Sequence, residues 1–269
     1  MKIIYNKQKL IKLINNENNL GFVPTMGTIH EGHTSLIKRS NALCNKTIVT
    51  IFVNKLQFDK KIDFKNYPKN LKNDFKLLKK TKVDYLFIPK NEQIHPNGIN
   101  QKIKIISFSK KLCGKFRPGH FKAVVDVVEK FSQIINPSKI FLGEKDMQQL
   151  LIVKHFFKQK YKNIKIIGCK TMREKNGMAF SSRNVLLTKK QKTIGSKIFK
   201  FIKKEKANLI KHKITTNIVK KKMLSYGVKR IDYVKIINLN KITKKSEVVK
   251  KYKVFISYYL GETRLIDNI

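Results

Sequence analysis

Residues 20–33 read Leu-Gly-Phe-Val-Pro-Thr-Met-Gly-Thr-Ile-His-Glu-Gly-His, and the architecture of the chain can be worked out from this stretch. Residues 20–24 form a short apolar run of the kind that becomes a buried strand, and a glycine-containing turn follows. From residue 32 to residue 43 the spacing of apolar positions is that of a helix. A buried strand that turns directly into a helix is the first half of a βαβ unit.

Beyond residue 43, strand-like and helix-like segments continue to alternate. Short apolar or β-branched runs predict strands at 47–53, 83–88, 139–142 and 165–168. Helical spacing of apolar residues predicts helices at 67–80, 124–135 and 146–158. This alternation is typical of an α/β fold, so we expect a Rossmann-like, mostly parallel sheet with helices on both faces.

The last third of the chain differs in composition. All six prolines lie at or before Pro137, and nine of the twelve glycines lie at or before Gly177. Strand-like runs occur there at 231–237 and 254–260, among lysine-rich segments. We therefore expect a Rossmann-like domain over residues 1–180 and a smaller C-terminal α+β domain over residues 181–269.

The charge of the chain is strongly positive. Its 269 residues include 60 Lys and Arg against 17 Asp and Glu, a formal net charge of +43. Such a balance is compatible with binding to nucleic acid or to an anionic membrane. Only six of the basic residues are Arg, however, and Lys, Ile and Asn share A/T-rich codons, so compositional drift is an alternative origin of the excess that needs no selection for anion binding. With 41% hydrophobic residues the chain can build a core.

Cysteine usage and the N-terminus bear on the compartment. The chain has an odd number of cysteines, Cys44, Cys113 and Cys169, and their spacing is not that of a metal site. This favours a reducing environment over a disulfide framework. Residues 1–19 lack the apolar core and cleavage site of a signal peptide. No run approaches the roughly 18 apolar residues of a membrane span. We expect a cytoplasmic protein that does not associate with membranes.

The turn after the first strand is where chemistry is expected. Ligands of open α/β sheets bind at the carboxyl ends of strands, and a helix N-terminus at that place attracts phosphate. His30 and His33 are three residues apart at this terminus, so both rings can face one anion. Gly27 and Gly32 allow the backbone to approach a ligand closely. These features predict an anion-binding loop.

Sequence motifs link this loop to a known family. The H-x-G-H pattern resembles the nucleotide-binding signature of class I aminoacyl-tRNA synthetases and nucleotidyltransferases. The longer stretch VPTMGTIHEGH resembles the pantothenate synthetase (pantoate–β-alanine ligase) family. Four further blocks agree in the order of that family: IFVNKLQF at 51–58, RPGHF at 117–121, GEKDMQQL at 143–150 and REKNGMAFSSRN at 173–184.

The resemblance implies a two-step, ATP-dependent reaction. Pantoate attacks the α-phosphorus of ATP to give pantoyl adenylate and pyrophosphate, and the amine of β-alanine then displaces AMP to give pantothenate, a precursor of coenzyme A. The resemblance also implies Mg²⁺ as cofactor and a homodimer formed through the N-terminal domain. Residues 1–180 would then be the catalytic domain that binds ATP and pantoate, with residues 181–269 closing over the site.

The same resemblance implies roles for individual residues. His33 matches the proton donor of the family, with His30, Lys145 and Arg183 as further catalytic residues. Asp146 is the candidate Mg²⁺ ligand, because Mg²⁺ usually binds through one or two carboxylates together with nucleotide phosphates. Gln57, Gln149 and Asn54 are the implied pantoate-binding residues. The implied nucleotide-binding residues are Met26, Gly27, Thr28, Ile29, His30, Glu31, Gly32, His33, Gly143, Glu144, Lys145, Asp146, Met172, Phe180, Ser181, Ser182 and Arg183.

Some positions depart from the family or stay open. Lys55 stands where the family has proline, which removes a constraint on the loop that presents Gln57. Gln148 is interpreted as an ordinary surface residue. Arg117 is equally compatible with a substrate contact and with a structural turn, and His120 is expected to pack or cap rather than to catalyse.

Two other functions compete with the ligase interpretation. A nucleic-acid-binding protein or an RNA-handling relative of the synthetases would explain the charge, but the chain has neither zinc-finger spacing nor an aromatic RNA-binding motif. Binding to nucleic acid would therefore be electrostatic and nonspecific. A nucleotidyltransferase acting on a phosphate substrate shares H-x-G-H, but it does not account for Gln57, Gln149 and the Ser-Ser-Arg-Asn run together. The expected partners are therefore ATP, pantoate and β-alanine.

Overall fold

A computed structural model describes residues 1–242 and 252–269, which divide into two compact units. The first unit comprises Met1–Glu144 and Gln148–Lys170, and the second comprises Lys145–Met147 and Thr171–Ile269.

The helices and strands up to residue 169 alternate as the sequence predicts. In chain order they are β1 (Lys2–Ile4), α1 (Lys7–Ile14), β2 (Leu20–Thr25), α2 (Glu31–Asn41), β3 (Lys46–Ile51), α3 (Lys61–Lys65), α4 (Leu71–Lys79), β4 (Tyr85–Phe87), α5 (Asn91–Ile94), α6 (Cys113–Phe116), α7 (His120–Ile135), β5 (Lys139–Gly143), α8 (Met147–Lys160) and β6 (Lys165–Cys169).

These six strands form one parallel sheet in the order β1-β4-β3-β2-β5-β6. The chain builds outward from β2 to β3 and β4, then returns to the other side of β2 to add β5 and β6. The order therefore reverses between β2 and β5, the place at which open α/β sheets bind ligands. The predicted Rossmann-like parallel sheet is confirmed.

Side chains of β2 show that helices cover both faces of the sheet. Val23 belongs to an apolar cluster with Leu36 of α2 and Leu78 of α4. The preceding Phe22 points to the opposite face, because side chains alternate along a strand. There its ring lies 5.7 Å from the ring of Phe131 on α7. Both faces of β2 are thus buried, which explains its continuous apolar sequence.

A glycine sets the distance between β2 and α2. A Cβ atom on Gly21 would lie 2.0 Å from Oγ of Ser40 and 3.0 Å from Sγ of Cys44. The helix therefore packs more closely on this strand than any other residue at position 21 would allow, and this contact fixes where α2 lies relative to the end of β2.

The second unit is an α+β structure. Its further elements are α9 (Lys189–Ile210), α10 (Thr216–Ser225), β7 (Arg230–Asn238), β8 (Tyr252–Leu260) and β9 (Thr263–Asn268). The three strands form an antiparallel sheet in the order β7-β8-β9. Its core includes Ile198 and Ile202 of α9, Met223 of α10 and Val254 of β8. The predicted C-terminal α+β fold is confirmed, with β9 as a strand that the sequence pattern did not indicate.

The helix predicted at 67–80 begins later than expected. It starts at Leu71, where the side chain of Asn70 accepts a hydrogen bond from the backbone N–H of Asn73. Tyr67 precedes a proline, which disfavours helical backbone. Its buried ring instead lies 5.5 Å from the ring of Phe58 in an edge-to-face contact. The part of the chain that the structure describes contains no helix long and apolar enough to span a membrane.

Candidate functional site

The loop that joins β2 to α2 has an unusual backbone. Gly27 and Thr28 both adopt left-handed conformations, with φ of +83° and +52°. For a residue with a Cβ this region costs about 1–2 kcal/mol, so the surrounding structure must hold Thr28 there. Thr25, the last residue of β2, contributes to this, since its Oγ1 donates to the carbonyl of Thr50 at 2.6 Å and accepts from the N–H of Gly27 at 3.2 Å.

The strongest restraint on the loop comes from Asp74, in the first turn of α4. Its two carboxylate oxygens accept hydrogen bonds from the backbone N–H groups of Thr28 at 2.9 Å and Ile29 at 2.6 Å. Asp74 is buried. Burial raises the pKa of this carboxyl, and the hydrogen bonds from Ile29 and Thr28 act in the opposite direction. Asp74 was not predicted from the sequence, because nothing in the local pattern links positions 46 residues apart.

His30 and His33 lie at the start of α2, as predicted. Their rings stack with centroids 4.0 Å apart and planes inclined by 22°. The first backbone bond of the helix, from the N–H of His33 to the carbonyl of His30 at 2.8 Å, fixes their spacing. Both are partly buried, whereas Glu31 between them is exposed. Two imidazoles at the positive end of a helix, beside the switch point of the sheet, are suited to binding phosphate.

Three predicted site residues lie close together: Asn54 and Gln57, which follow β3, and Met26, which follows β2. Nε2 of Gln57 lies 2.8 Å from Sδ of Met26, and Nδ2 of Asn54 lies 3.4 Å from Oε1 of Gln57. Asn54 also donates to the carbonyl of Ala123 at 3.2 Å, and its own Oδ1 caps a 3₁₀ turn by accepting from the N–H of Leu56. Gln57 and Asn54 are both buried. The amide of Gln57 is thus held beside the loop that joins β2 to α2.

The backbone of Gln57 is fixed by the Arg-Pro-Gly-His block. Its carbonyl accepts from Nδ1 of His120 at 2.8 Å and from Nη2 of Arg117 at 3.0 Å. Because a carbonyl only accepts, Nδ1 carries the proton and Nε2 of His120 accepts from Nη1 of Arg117 at 3.1 Å. Arg117 also pairs with Asp59. These bonds restrain the loop at the position where Lys55 replaces the proline of the family.

The neighbouring glutamines Gln148 and Gln149 have different surroundings. Gln148 was expected at the surface, and that expectation is wrong. It is buried, accepts from the N–H of Cys113 at 3.1 Å, and donates to the carbonyls of Phe108 at 2.9 Å and Lys111 at 2.6 Å. It therefore anchors the segment before α7. Gln149, the predicted pantoate ligand, is partly exposed in the first turn of α8.

The second predicted anion-binding segment follows β5. The strand ends at Gly143, and Glu144–Asp146 form a 3₁₀ turn that leads into α8. Lys145 and Asp146 contact each other, with Nζ and Oδ1 3.3 Å apart. The carbonyl of Lys145 accepts from Nδ2 of Asn268 at 2.7 Å. Gly143 and Glu144 belong to the first unit, and Lys145 and Asp146 to the second.

A metal at Asp146 has to be judged from its donor set. Among residues 1–242 and 252–269, no three His, Cys, Asp or Glu side chains are grouped so as to hold a metal ion. Mg²⁺, however, is commonly bound by one or two carboxylates together with nucleotide phosphates. The Asp146 side chain is 43% exposed and can accept such an ion. The residues present therefore fit a Mg²⁺ that arrives with a nucleotide, and they do not form a protein-only metal site.

The block at 173–184 is one compact loop of the second unit. An isolated bridge pairs Arg173 with Ala179, and the left-handed Gly177, with φ of +94°, makes the turn between them. The N–H of Phe180 donates to the carbonyl of Met172 at 3.1 Å. Oγ of Ser181 accepts from the N–H of Arg183 at 3.3 Å and so caps the 3₁₀ turn that contains Ser182 and Arg183. The predicted phosphate-binding residues are therefore adjacent in space.

An ion pair attaches this loop to the last strand. Nη1 and Nη2 of Arg173 donate to the two carboxylate oxygens of Asp267 on β9, at 2.7 and 3.0 Å. The guanidinium also lies over the ring of Phe199, 4.2 Å from its centroid. A cleft of the second unit is lined by Lys145 and Ser181 together with Asp267. The pairing of Arg173 with Asp267 was not foreseen from the sequence.

Comparisons with known proteins bear on the whole chain. A family model described as "Pantoate-beta-alanine ligase" matches residues 2–269. The pantothenate synthetase of Clostridium botulinum (strain ATCC 19397 / Type A) is 40% identical over 264 residues, covering 96% of this chain and 94% of the relative.

Two solved structures are also similar over their full length. The pantoate-beta-alanine ligase of Francisella tularensis, solved with beta-gamma ATP and beta-alanine, is 34% identical with a TM-score of 0.86, and 100% of this chain and 97% of that chain are covered. The pantothenate synthetase of Thermus thermophilus is 28% identical with a TM-score of 0.87, covering 100% of this chain and 99% of that chain.

Proposed function

This chain belongs to the pantoate-beta-alanine ligase family, and from that premise we propose how its residues divide the reaction of the family, the ATP-dependent condensation of pantoate with β-alanine. The observation that carries the assignment is the stacked pair His30 and His33, at the carboxyl end of β2 and the start of α2. This is where the strand order reverses, and it offers two nitrogen-bearing rings to an anion.

In the first step an oxygen of the pantoate carboxylate attacks the α-phosphorus of ATP. The new O–P bond forms as the bond from that phosphorus to the bridging oxygen breaks, and pyrophosphate leaves. Negative charge accumulates on phosphoryl oxygens, so positioned donors matter more than covalent catalysis. His30 and His33 supply donors, with His33 as the proton donor. Lys145 and Arg183 supply positive charge.

The remaining residues proposed to contact the nucleotide lie in the same loops. Met26–His33 surround the nucleotide, together with Gly143 and Glu144 after β5. The other residues proposed to contact it are Asp146, Met172, Phe180, Ser181 and Ser182. Two hydroxyls beside an arginine fork suit the oxygens of the leaving pyrophosphate.

Pantoate is assigned to Gln57, Gln149 and Asn54. An amide both donates and accepts, which matches a substrate that has hydroxyl groups and a carboxylate. The Gln57 amide is already positioned by Met26 and Asn54, and its backbone carbonyl is held by His120 and Arg117. Pantoate therefore meets a side chain whose direction is set before binding, which lowers the entropy cost of recognition.

In the second step the neutral amine of β-alanine attacks the activated carbonyl carbon. A C–N bond forms, the C–O bond to AMP breaks, and the amine proton is released. The Francisella tularensis relative was solved with beta-gamma ATP and beta-alanine, which supports these two as ligands of one protein in the family. Asp146 would hold Mg²⁺ together with the nucleotide phosphates, and the ion would neutralise part of their charge.

Four broader assignments complete the proposal. The chain acts in the cytoplasm, forms a homodimer through its N-terminal domain, and has no specific nucleic-acid or membrane partner. Its Rossmann-like domain, residues 1–180, binds ATP and pantoate, and residues 181–269 close over the site during catalysis. Light scattering of the purified protein tests the dimer, since a monomeric mass at micromolar concentration would contradict it.

The deciding experiment measures AMP release from the purified chain. AMP should form only when ATP, Mg²⁺, pantoate and β-alanine are all present, in an amount equal to the pantothenate produced. Omitting each component in turn provides the controls. AMP formation that is independent of either organic substrate, or the absence of AMP with all four present, would contradict the proposed function.

A further inference from the structure

The carboxylate of Asp74 lies where a loop of this shape usually binds an anion. Successive backbone N–H groups next to left-handed residues form a concave anion-binding nest. Here the nest is made by the N–H groups of Thr28 and Ile29, which donate to Oδ2 and Oδ1 of Asp74. We infer that Asp74 is a positioning residue, a built-in anion that fixes the nucleotide loop and thereby the directions of His30 and His33. This inference rests on the proposed function of that loop.

The geometry around Asp74 leaves the loop little freedom. A Cβ on Gly27 would lie 3.0 Å from Oδ2, so the carboxylate packs directly against the turn. The hydroxyl of Thr28 donates to the carbonyl of Pro68 at 2.7 Å, which adds a second tether just before α4. The segment that enters α4 therefore holds the loop at two points. Ile29 is buried and His30 follows it directly, so a displacement of Ile29 would move both histidine rings.

The position of Asp74 in its own helix favours a charged carboxylate. Its N–H donates to the carbonyl of Asn70 at 2.9 Å, which places it in the first turn of α4, at the positive end of the helix dipole. Two backbone donors and a helix N-terminus can stabilise a buried negative charge beside a site for phosphate. Nucleotide phosphates would then meet the histidine rings and the start of α2, while the N–H groups of Thr28 and Ile29 serve the internal carboxylate.

The substitution Asp74→Asn tests this role with almost no change in shape. The amide oxygen can still accept one N–H, but the amide nitrogen then faces the other N–H, and two donors oppose each other. We expect the rate constant for pantoyl-adenylate formation to fall about 10- to 100-fold, the usual cost of an ångström-scale misplacement. Circular dichroism should show the native fold, and the KM for pantoate should change much less.

Asp84→Asn is the matched control. Asp84 also accepts a backbone N–H, from Thr47 at 2.8 Å, but it lies at the opposite, amino-terminal end of the sheet strands. Its loss should lower the unfolding temperature and leave the rate constant at the wild-type value. Equal rate losses in the two variants would show a general effect on stability, and an unchanged rate in Asp74→Asn would overturn the inference.

Amide hydrogen exchange gives a readout that does not depend on activity. In the wild-type protein the amides of Thr28 and Ile29 should be protected, and in Asp74→Asn they should exchange at least about tenfold faster. Exchange at the free-peptide rate in the wild type would overturn the inference even if the variant did not fold. A wild-type protein that makes no AMP would instead refute the proposed function, while the exchange data would still decide whether Asp74 clamps the loop.

Discussion

The backbone carbonyl of Gln57 accepts a hydrogen bond from Nδ1 of His120 at 2.8 Å, across 63 residues of sequence. A side chain proposed to bind substrate is thus presented by a turn that a distant histidine holds in place. Arg117 completes the arrangement by donating both to that carbonyl and to Nε2 of the histidine. The block Arg-Pro-Gly-His accordingly acts on the proposed pantoate pocket through Gln57.

His120→Phe should weaken pantoate recognition. The ring would keep most of the volume but lose the bond to the Gln57 carbonyl and the acceptor for Arg117. A hydrogen bond of this kind contributes about 0.5–1.5 kcal/mol, so the KM for pantoate should rise up to about tenfold, with a smaller change in the KM for ATP. Steady-state kinetics with each substrate varied measures both. His155→Phe on α8 is the control, and a larger change in the KM for ATP than for pantoate would contradict this role of His120.

The neighbouring glutamines should separate stability from substrate binding. Gln148→Ala removes three hydrogen bonds and leaves the N–H of Cys113 and the carbonyl of Phe108 without this partner. We expect the free energy of unfolding to fall by about 2–4 kcal/mol, with the KM for pantoate nearly unchanged. Gln149→Ala should raise the KM for pantoate and leave the free energy of unfolding nearly unchanged. Urea unfolding and kinetics on both variants test this, and the same effect on both quantities in both variants would refute the distinction.

Local patterns explain which parts of the fold could be predicted. The strand at Leu20–Thr25 and the helix after it were foreseen, because an apolar run, a glycine turn and helical spacing are all properties of neighbouring residues. The late start of α4 was not foreseen, because it depends on two contacts: Asn70 caps the helix, and the ring of Tyr67 packs against Phe58. Helix α9 carried a signal that was overlooked, with Ile198, Ile202 and Leu209 buried at helical spacing.

In the candidate site, too, residues whose partners are distant in sequence could not be predicted. His30, His33 and Gln57 were found because they lie in recognisable blocks. Asp74 was missed because its partners are 45 and 46 residues away, and no periodicity records a contact between segments. Gln148 was misjudged because adjacent residues of a helix point in directions about 100° apart, so only the packed structure shows which of two glutamines is buried.

The Arg173–Asp267 pair should couple the loop at 173–184, which is proposed to bind phosphate, to β9. The side chains are 21% and 10% exposed, and the geometry is bidentate. A double-mutant cycle with Arg173→Lys and Asp267→Asn should give a coupling free energy of about 1–3 kcal/mol, measured by urea unfolding. The exposed pair Lys229 and Glu262 on the same unit is the control, where we expect no measurable coupling. Equal coupling in both pairs would contradict a special role for Arg173.

Asp126 should make the protein sensitive to acid. Burial raises the pKa of this carboxyl, but the N–H of Asn100, which donates to it, and the neighbouring side chains of His95 and Lys130 outweigh burial, so the pKa lies below its ordinary value of 3.8. A lowered folded-state pKa stabilises the native state above the unfolded-state value, and this stabilisation is lost as pH falls through the folded-state pKa.

Asp126→Asn should therefore lower the free energy of unfolding by about 2–3 kcal/mol at pH 7. The difference from the wild type should shrink below about pH 4, as the wild-type carboxyl becomes protonated. Urea unfolding at a series of pH values measures this difference. A difference that stays constant down to about pH 3 would show that the charge on Asp126 does not contribute to stability.

His33→Ala should abolish formation of pantoyl adenylate while the fold stays intact. The ring stacks on His30 at the start of α2, so its removal takes away one of the two imidazoles proposed to meet the phosphates and leaves the helix itself unchanged. Loss of a positioned donor or general acid typically costs a factor of about 10²–10⁴ in rate. Single-turnover release of pyrophosphate, with ATP and pantoate but without β-alanine, isolates this step. His212→Ala, at an exposed position after α9, should retain the wild-type rate. A wild-type rate in His33→Ala would remove this histidine from the reaction, and a large fall in its unfolding temperature would indicate a structural role.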